Sequence, residues 1–200
     1  MTSPAPRIRP ERFYKADDTG VTWDMSPRPS GTGVLNLSGD LKPGWLGRLS
    51  SNLSSNKISI LNGTALKHSP LRWDASFEVA SDPGSAVTFK EFNPLPAVTG
   101  TTERVASPPL NLSDYQVEYS TRHGGSIYTE ISGADCIGFL YGVLRIFSFY
   151  SLFPTELEIS TKGKTALDRF WLKGIGASVP EKDDISALHR RLSTMLSGKA

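Results

Sequence analysis

Two short segments of the chain each combine an aspartate with two glycines between two apolar runs. They are Leu37-Ser-Gly-Asp-Leu-Lys-Pro-Gly-Trp-Leu46 and Ile131-Ser-Gly-Ala-Asp-Cys-Ile-Gly-Phe-Leu140. Each predicts a strand, a glycine turn and the start of a helix. Free backbone N–H groups at a helix start attract a carboxylate, glycine lets a ligand approach the main chain, and an aspartate accepts hydrogen bonds from an ammonium group. Each segment therefore contains the groups that would bind a free amino acid.

A purely structural interpretation of both segments stays open, because glycines permit turns and aspartates cap helices without any ligand. The sequence shows few residue patterns that would support metal binding or catalysis. The three histidines, His68, His123 and His189, are not at metal-ligand spacing, and no Ser-His-Asp order, nucleophile elbow or paired-carboxylate motif is found. We therefore expect no metal, no cofactor and no enzyme activity.

The two segments belong to a longer internal repeat. Matching residues keep the same separation of 94 positions beyond the turns: Leu49 with Val143, Leu53 with Phe147, Trp73-Asp74 with Leu167-Asp168, and Phe77 with Trp171. An unbroken offset across a strand, a turn, a helix and a later strand indicates a duplicated unit.

Composition limits the class of protein. The chain has 200 residues, 38% of them hydrophobic, which is enough for a folded core. The net charge of +2 provides no broad attraction to nucleic acid, and no segment resembles a secretory signal or a membrane span. The single cysteine, Cys136, fits a reducing compartment. We expect a cytoplasmic protein that contacts neither membrane nor nucleic acid directly.

Hydrophobic periodicity predicts mixed α and β structure. An N-terminal arm or hairpin (residues 1–30) with β-prone pieces at 12–14 and 21–25 precedes a first unit (31–122) and a second unit (123–200). Predicted strands cover 34–37, 57–65, 71–80, 115–120, 127–131, 155–161 and 166–172, and predicted helices begin at Trp45 and Gly138 and cover about 85–92 and 184–197. The strand at 115–120 is expected to close the first unit, and the strand at 21–25 to complete the second, which otherwise lacks its last strand.

The order and motifs of both units resemble the ACT domain, a small βαββαβ ligand-sensing module. The second unit carries Asp135-Cys-Ile-Gly138-Phe-Leu, similar to the family's Asp-x-x-Gly-Leu-Leu turn. The segment from Ile159 to Phe170 is similar to a hairpin in the ACT repeats of nitrogen-sensing uridylyltransferases and of the glycine-cleavage repressor. The first unit departs from the pattern by one extra residue between Asp40 and Gly44. The resemblance implies an α+β fold of two ferredoxin-like units with antiparallel sheets.

The same resemblance implies a ligand site at each glycine turn. Its expected residues are Gly39, Asp40, Gly44 and Trp45 in the first unit and Gly133, Asp135, Gly138 and Phe139 in the second. Asn62 is a further candidate, since the strand that it lies on borders the ligand in paired ACT domains, although Asn62-Gly63 also fits a hairpin turn. The implied function is a regulatory protein that binds an amino acid or similar small metabolite and acts through a homodimer or a protein partner.

Two other functions stay open. One is a structural or protein-interaction module that binds no ligand. The other is a transcriptional co-regulator that resembles the glycine-cleavage repressor and acts through a DNA-binding partner.

Overall fold

The computed structural model describes residues 15–16, 20–85, 87–100 and 106–198. The predicted β-prone piece at 12–14 lies outside these residues. Nine strands run through the described part of the chain: β1 (Lys15–Ala16), β2 (Val21–Pro27), β3 (Thr32–Asp40), β4 (Ile58–Lys67), β5 (Arg72–Ser81), β6 (Leu112–Ser120), β7 (Ser126–Ala134), β8 (Phe153–Lys162) and β9 (Thr165–Lys173).

Four α-helices accompany the strands: α1 (Trp45–Ser55), α2 (Leu95–Thr99), α3 (Phe139–Phe149) and α4 (Lys182–Leu196). The predicted α+β class is therefore confirmed. The helices α1 and α3 each follow a glycine turn, and each repeats apolar residues at helical spacing, so that one face packs into the core. No helix in the described residues is long and apolar enough to cross a membrane.

All strands form one antiparallel sheet in the order β1-β2-β3-β5-β4-β8-β9-β7-β6. The sheet has two halves with the same internal order of elements. The first half comprises β2 to β5 with α1 and α2, and the second comprises β6 to β9 with α3 and α4. They meet where β4 pairs with β8, from Asn62 opposite Ser160 to Leu66 opposite Glu156, and α1 also contacts α3.

The predicted positions of two edge strands are wrong. The segment 21–25 lies in β2 and pairs with β3 of the first half, and it does not complete the second. The segment 115–120 lies in β6 and pairs with β7, so it belongs to the second half rather than closing the first. Short turns at residues 28–31 and 121–125 join these pairs, and strands connected by short turns generally pair with each other. Each half therefore receives its edge strand from the N-terminal side.

In the structure, the residues of the two halves that correspond to each other do not all keep the separation of 94 positions that the sequence predicted. Gly39 lies opposite Trp73 in the first half, whereas Gly133 lies opposite Ala166 in the second. Matching the two glycines therefore matches Trp73 with Ala166. Phe77 accordingly corresponds to Phe170, both with no exposed area, and not to Trp171. The hairpin turns between the last two strands differ in length, and this shifts the register by one residue.

The helices near the ends of the two halves were predicted less accurately. The helix expected at 85–92 is absent from its described residues, and α2 begins later, at Leu95. Pro94 and Pro96 suit a helix start, since proline fixes φ and the first helical N–H groups need no intrahelical acceptor. The helix α4 overlaps the predicted range 184–197 and begins two residues earlier, after its N-cap Glu181.

Alternate residues of the strands pack with the helices in a single core. The opposite face of the sheet carries a row of mostly polar and charged side chains that crosses the eight long strands: Asp24, Asn36, Ser76, Thr64, Glu158, Arg169, Glu130 and Gln116. The glycine turns lie at the end of the sheet where α1 and α3 begin, on the helix-covered side.

Candidate functional site at the boundary of the two halves

A recess lies between the two halves, and we call it the interface recess. The first half contributes residues of α1 and β4, and the second contributes the β7–α3 turn, α3, β8 and β9. Its lining consists of Ser50, Leu53, Ile58, Ile60, Asp135, Cys136, Gly138, Phe139, Leu140, Tyr141, Ile159, Thr161, Ala166 and Asp168. The space in the recess that is accessible to a water-sized group is about 20 Å³, and the volume of the whole recess, including space open to solvent, is about 370 Å³. The accessible space admits one group of the size of a water molecule.

The second glycine turn forms one wall of this recess. The Asp135 N–H donates to the Lys164 carbonyl oxygen at 2.9 Å, and the Phe139 N–H donates to that of Cys136 at 3.0 Å. Gly138 is the N-cap of α3 with a φ of 86°, a conformation that favours glycine. A Cβ atom at Gly138 would also lie 2.7 Å from Ser54 Oγ of the first half. The turn therefore packs closely against the other half of the protein.

Asp168 lies at the buried end of the recess, on the core side of β9. Its side chain is 1% exposed, and among the described residues Oδ1 has no hydrogen-bond partner. Burial, and secondarily the negative charge of Asp135, raises the pKa of Asp168 to about 8. At neutral pH this carboxyl group is therefore mostly protonated.

Burial also changes the pKa values of two residues of the β7–α3 turn, Asp135 and Cys136. Burial raises the pKa of Asp135, although a hydrogen bond from the Cys136 N–H opposes the shift. Burial, followed by the charge of Asp135, raises the pKa of the Cys136 thiol. A thiol with a raised pKa is a weak nucleophile, so this cysteine is suited to packing rather than to reaction.

The first glycine turn has a different environment. Gly44 is the N-cap of α1, and Asp40 is exposed at the end of β3. The Arg48 guanidinium donates to the carbonyl oxygens of Pro43 at 2.9 Å and Ala97 at 2.7 Å. Arg48 thus ties this turn to α2, and neither Asp40 nor Gly44 lines the interface recess.

In the first half an indole, Trp73, occupies the position that corresponds to a small residue, Ala166, in the second half. Trp45 packs edge-on against Trp73, with ring centroids 5.3 Å apart, and both are buried. The register matches Trp73 with Ala166, which lines the recess. It also matches Ala75 with Asp168. The first half therefore has neither the small side chain nor the buried carboxyl group.

The remaining predicted site residues lie outside the recess. Gly39 and Gly133 lie in β3 and β7, against the backbone of the neighbouring strand. Asn62 lies within β4, opposite Glu78 and Ser160, so the hairpin-turn interpretation is wrong. Its side-chain amide donates to Glu78 Oε2 at 3.1 Å on the polar face of the sheet. Of the nine predicted residues, the recess brings together Asp135, Gly138 and Phe139.

The three histidines each interact with a different side chain. His68 lies 2.9 Å from Asp74, His123 lies 2.8 Å from Glu156, and His189 lies 3.3 Å from the Tyr115 hydroxyl. Within the described residues, no group of three or more metal-binding side chains is found.

The sequence comparisons assign no family to the chain. No family model matches, and no curated protein matches. A solved structure of an unknown protein from Galdieria sulphuraria is 13% identical and covers 84% of this chain and 91% of its own, with a TM-score of 0.27. At that score the similarity carries no argument about fold or function.

Proposed function

We propose that the protein binds a small metabolite, an amino acid or a similar compound, in the interface recess and thereby regulates its association with itself or with a protein partner. One observation carries this proposal: the recess is lined from both halves, and the second half contributes the Asp135–Gly138 turn that resembles a ligand-sensing motif. The ACT resemblance supplies the ligand class.

Binding at this boundary has a physical route to regulation. A ligand that contacts α1 and β4 of one half and the β7–α3 turn of the other favours whichever relative packing gives it more contacts. The population shifts by the difference in its affinity for the two packings. Surfaces that depend on this packing, including the outer sheet edges formed by β1 and β6, then change their availability to a partner.

A thermal-shift screen against the twenty amino acids tests the proposal. A ligand at ten times its dissociation constant stabilises the folded state by about 1.4 kcal/mol. For a chain of this length that raises Tm by roughly 3–5 °C. The absence of any stabilisation at millimolar concentrations contradicts the proposal.

Blocking the recess shows whether a ligand binds there. Ala166→Trp places an indole at the position that Trp73 holds in the first half, and we expect it to abolish the shift. Leu167→Trp is the matched control, because Leu167 lies on the opposite face of the same strand. Equal shifts in both variants would place the ligand elsewhere.

The small accessible volume of the recess favours a second function, a protein-interaction module that binds no metabolite. A cavity of about 20 Å³ holds one water molecule without any ligand. In that case Ala166→Trp and the wild type respond alike to every amino acid, while association with a partner is retained.

A further inference from the structure

We propose that the ligand carries a primary ammonium group and that Asp168 is the carboxylate that binds it. This inference rests on the proposed function and specifies the ligand class of the same recess. The sequence motif pointed to Asp135 and Gly138, whereas the proposed ammonium-binding residue comes from a different strand.

The position of Asp168 supports this role. Its side chain lies on the core side of β9 and lines the recess, and its Oδ1 has no hydrogen-bond partner within the described residues. A buried polar atom without a partner costs folding free energy. A donor supplied by a ligand would remove that cost, which gives the ligand a source of affinity.

The charges around the recess select a cationic ligand. Among the described residues of the lining, Asp135 and Asp168 are acidic, Cys136 and Tyr141 are the other titratable ones, and no lysine, arginine or histidine is present. The walls from α1, β4 and β8 contribute only apolar and hydroxyl side chains: Ser50, Leu53, Ile58, Ile60, Ile159 and Thr161. Because no basic side chain of the described lining faces Asp168, we expect the bound molecule to supply the countercharge when this carboxyl group ionises, and the ionised form would repel an anionic group.

The size of the accessible space in the recess restricts the cation further. A volume of about 20 Å³ accepts a group of the size of water, which an –NH₃⁺ group matches. A guanidinium or a trimethylammonium group is much larger. Calcium generally takes six to eight oxygen ligands, and magnesium six in octahedral geometry. The rest of an amine ligand would extend past the Asp135–Gly138 turn into the open part of the recess.

Isothermal titration calorimetry with small probes tests the inference. The probes are glycine, methylamine and ammonium chloride, which separate an amino acid, an amine and a free ion as the source of the ammonium group. Acetate lacks the ammonium group, and trimethylglycine has no N–H donor. We expect binding by at least one of the first three and none by the last two.

Asp168→Asn tests the residue. Because a charge-assisted hydrogen bond is lost, we expect the affinity for the bound probe to fall at least about tenfold. Asp74→Asn is the matched control, since Asp74 lies in the corresponding strand of the first half on the polar face, bonded to Ser38. Its affinity should equal that of the wild type.

Proton release on binding distinguishes a carboxylate that binds the ammonium group from a residue that only supports the fold. Binding an ammonium group requires ionised Asp168, so at pH 7 the wild type should release close to one proton, measured from binding heats in buffers of different ionisation enthalpy. Affinity should rise up to tenfold per pH unit below about pH 8. Asp168→Asn should show neither effect.

The outcomes separate this inference from the proposed function. Binding that Ala166→Trp abolishes, but that Asp168→Asn leaves unchanged and without proton release, overturns the ammonium assignment and retains the recess as a site. If acetate binds as tightly as glycine, the ammonium assignment is likewise overturned and the recess is retained as a site. If no amino acid or probe binds, both are overturned, and the cavity holds only water. Ala166→Val fills less space and replaces Ala166→Trp if that variant does not fold.

Discussion

The carboxyl group of Asp168 lies in an environment that opposes its ionisation. The side chain is 1% exposed, and burial followed by the charge of Asp135 raises its pKa to about 8. In the unfolded chain the pKa of an aspartate is near 3.9. Between these two pH values Asp168 is therefore protonated in the folded state and ionised in the unfolded state. Its contribution to the free energy of unfolding decreases as pH rises through this range.

The first prediction concerns pH. As pH rises from about 4 to about 8, the stability contributed by Asp168 should fall by up to about 1.4 kcal/mol per unit and then level off. Asp168→Asn lacks this loss, so its stability relative to the wild type should increase over that range. Urea denaturation at pH 5, 6.5, 8 and 9.5 measures the difference.

Asp74→Asn serves as the control for this titration. A hydrogen bond from Ser38, with further help from His68 and Arg72, lowers the pKa of Asp74, while burial opposes the shift. A lowered pKa affects stability only as pH falls towards it, so this variant should run parallel to the wild type above pH 5. Parallel curves for Asp168→Asn as well would refute a protonated, buried Asp168.

The second prediction concerns the turn that walls the recess. Gly138→Ala should destabilise the protein by about 2 kcal/mol or more, because it combines a positive φ with a contact to Ser54 Oγ. Gly163→Ala has a φ of 63° and nothing within 4 Å of the added Cβ, so it isolates the backbone cost of about 1 kcal/mol. Chemical denaturation gives both values, and equal costs would mean that the turn does not pack tightly on the first half.

Residue types alone identified only part of the candidate site. Asp135 and Gly138 were predicted because their spacing matched a motif, and both line the recess. Asp168 was missed, although its strand shows a readable signal: it replaces an apolar residue in the buried alternation of Ala166, Phe170 and Leu172. A charged residue at a buried position indicates a special role only once the register of the strand is known.

At the scale of elements, local signals placed most helices and strands. The strands β8 and β9 form a hairpin at the predicted positions 155–161 and 166–172, α1 begins at the predicted Trp45, and α3 begins one residue after the predicted Gly138. The sequence did not identify the correct partner of each edge strand, because β2 and β6 carry the same alternation whichever strand they pair with. The pairing depends on the short turns that connect β2 to β3 and β6 to β7.

The third prediction belongs to α4, which contacts the edge strand β6. The Asp184 carboxylate accepts a hydrogen bond from the Glu181 N–H at 2.8 Å and completes a capping box. Asp184→Ala should therefore cost about 1 kcal/mol. Asp183→Ala removes the same charge from the same helical turn at an exposed position, and it should cost less. Equal decreases in stability of the two variants, measured by thermal unfolding, would show that the negative charge matters and that the capping hydrogen bond does not.

The whole molecule depends on the junction of its halves. The strands β4 and β8 join the two four-stranded sheets, and α1 contacts α3 above them. Separated halves would each expose a strand edge in the middle of a large apolar surface. The recess exists only in the assembled protein, because each half supplies part of its wall. The dimer expected from the sequence stays a prediction.

The fourth prediction tests this junction. Residues 1–100 and 106–200, expressed separately, should form a one-to-one complex when mixed, as measured by size-exclusion chromatography with light scattering. Thr64→Pro in the first fragment should weaken the complex, since proline removes an N–H from a central strand and Thr64 lies opposite Glu158.

Thr64→Ala keeps that N–H and serves as the control. Fragments that stay separate at micromolar concentration would contradict a junction that stabilises the fold. An unimpaired Thr64→Pro complex would instead mean that the helices, and not the strands, hold the halves together.

The amino-acid sequence determined the α+β class, the repeated strand, turn and helix, and the asymmetry between the two glycine turns. These features follow from residue types and spacing over short distances, where backbone preferences and hydrophobic periodicity act. The tertiary structure alone decided which strands form the edges, how the halves meet, and that Asp168 lines a recess shared with α1. The edge strands pair across short turns, whereas the junction and the recess depend on contacts between residues about one hundred positions apart. The free energy of these contacts comes from burial and pairing and is not contained in any local pattern.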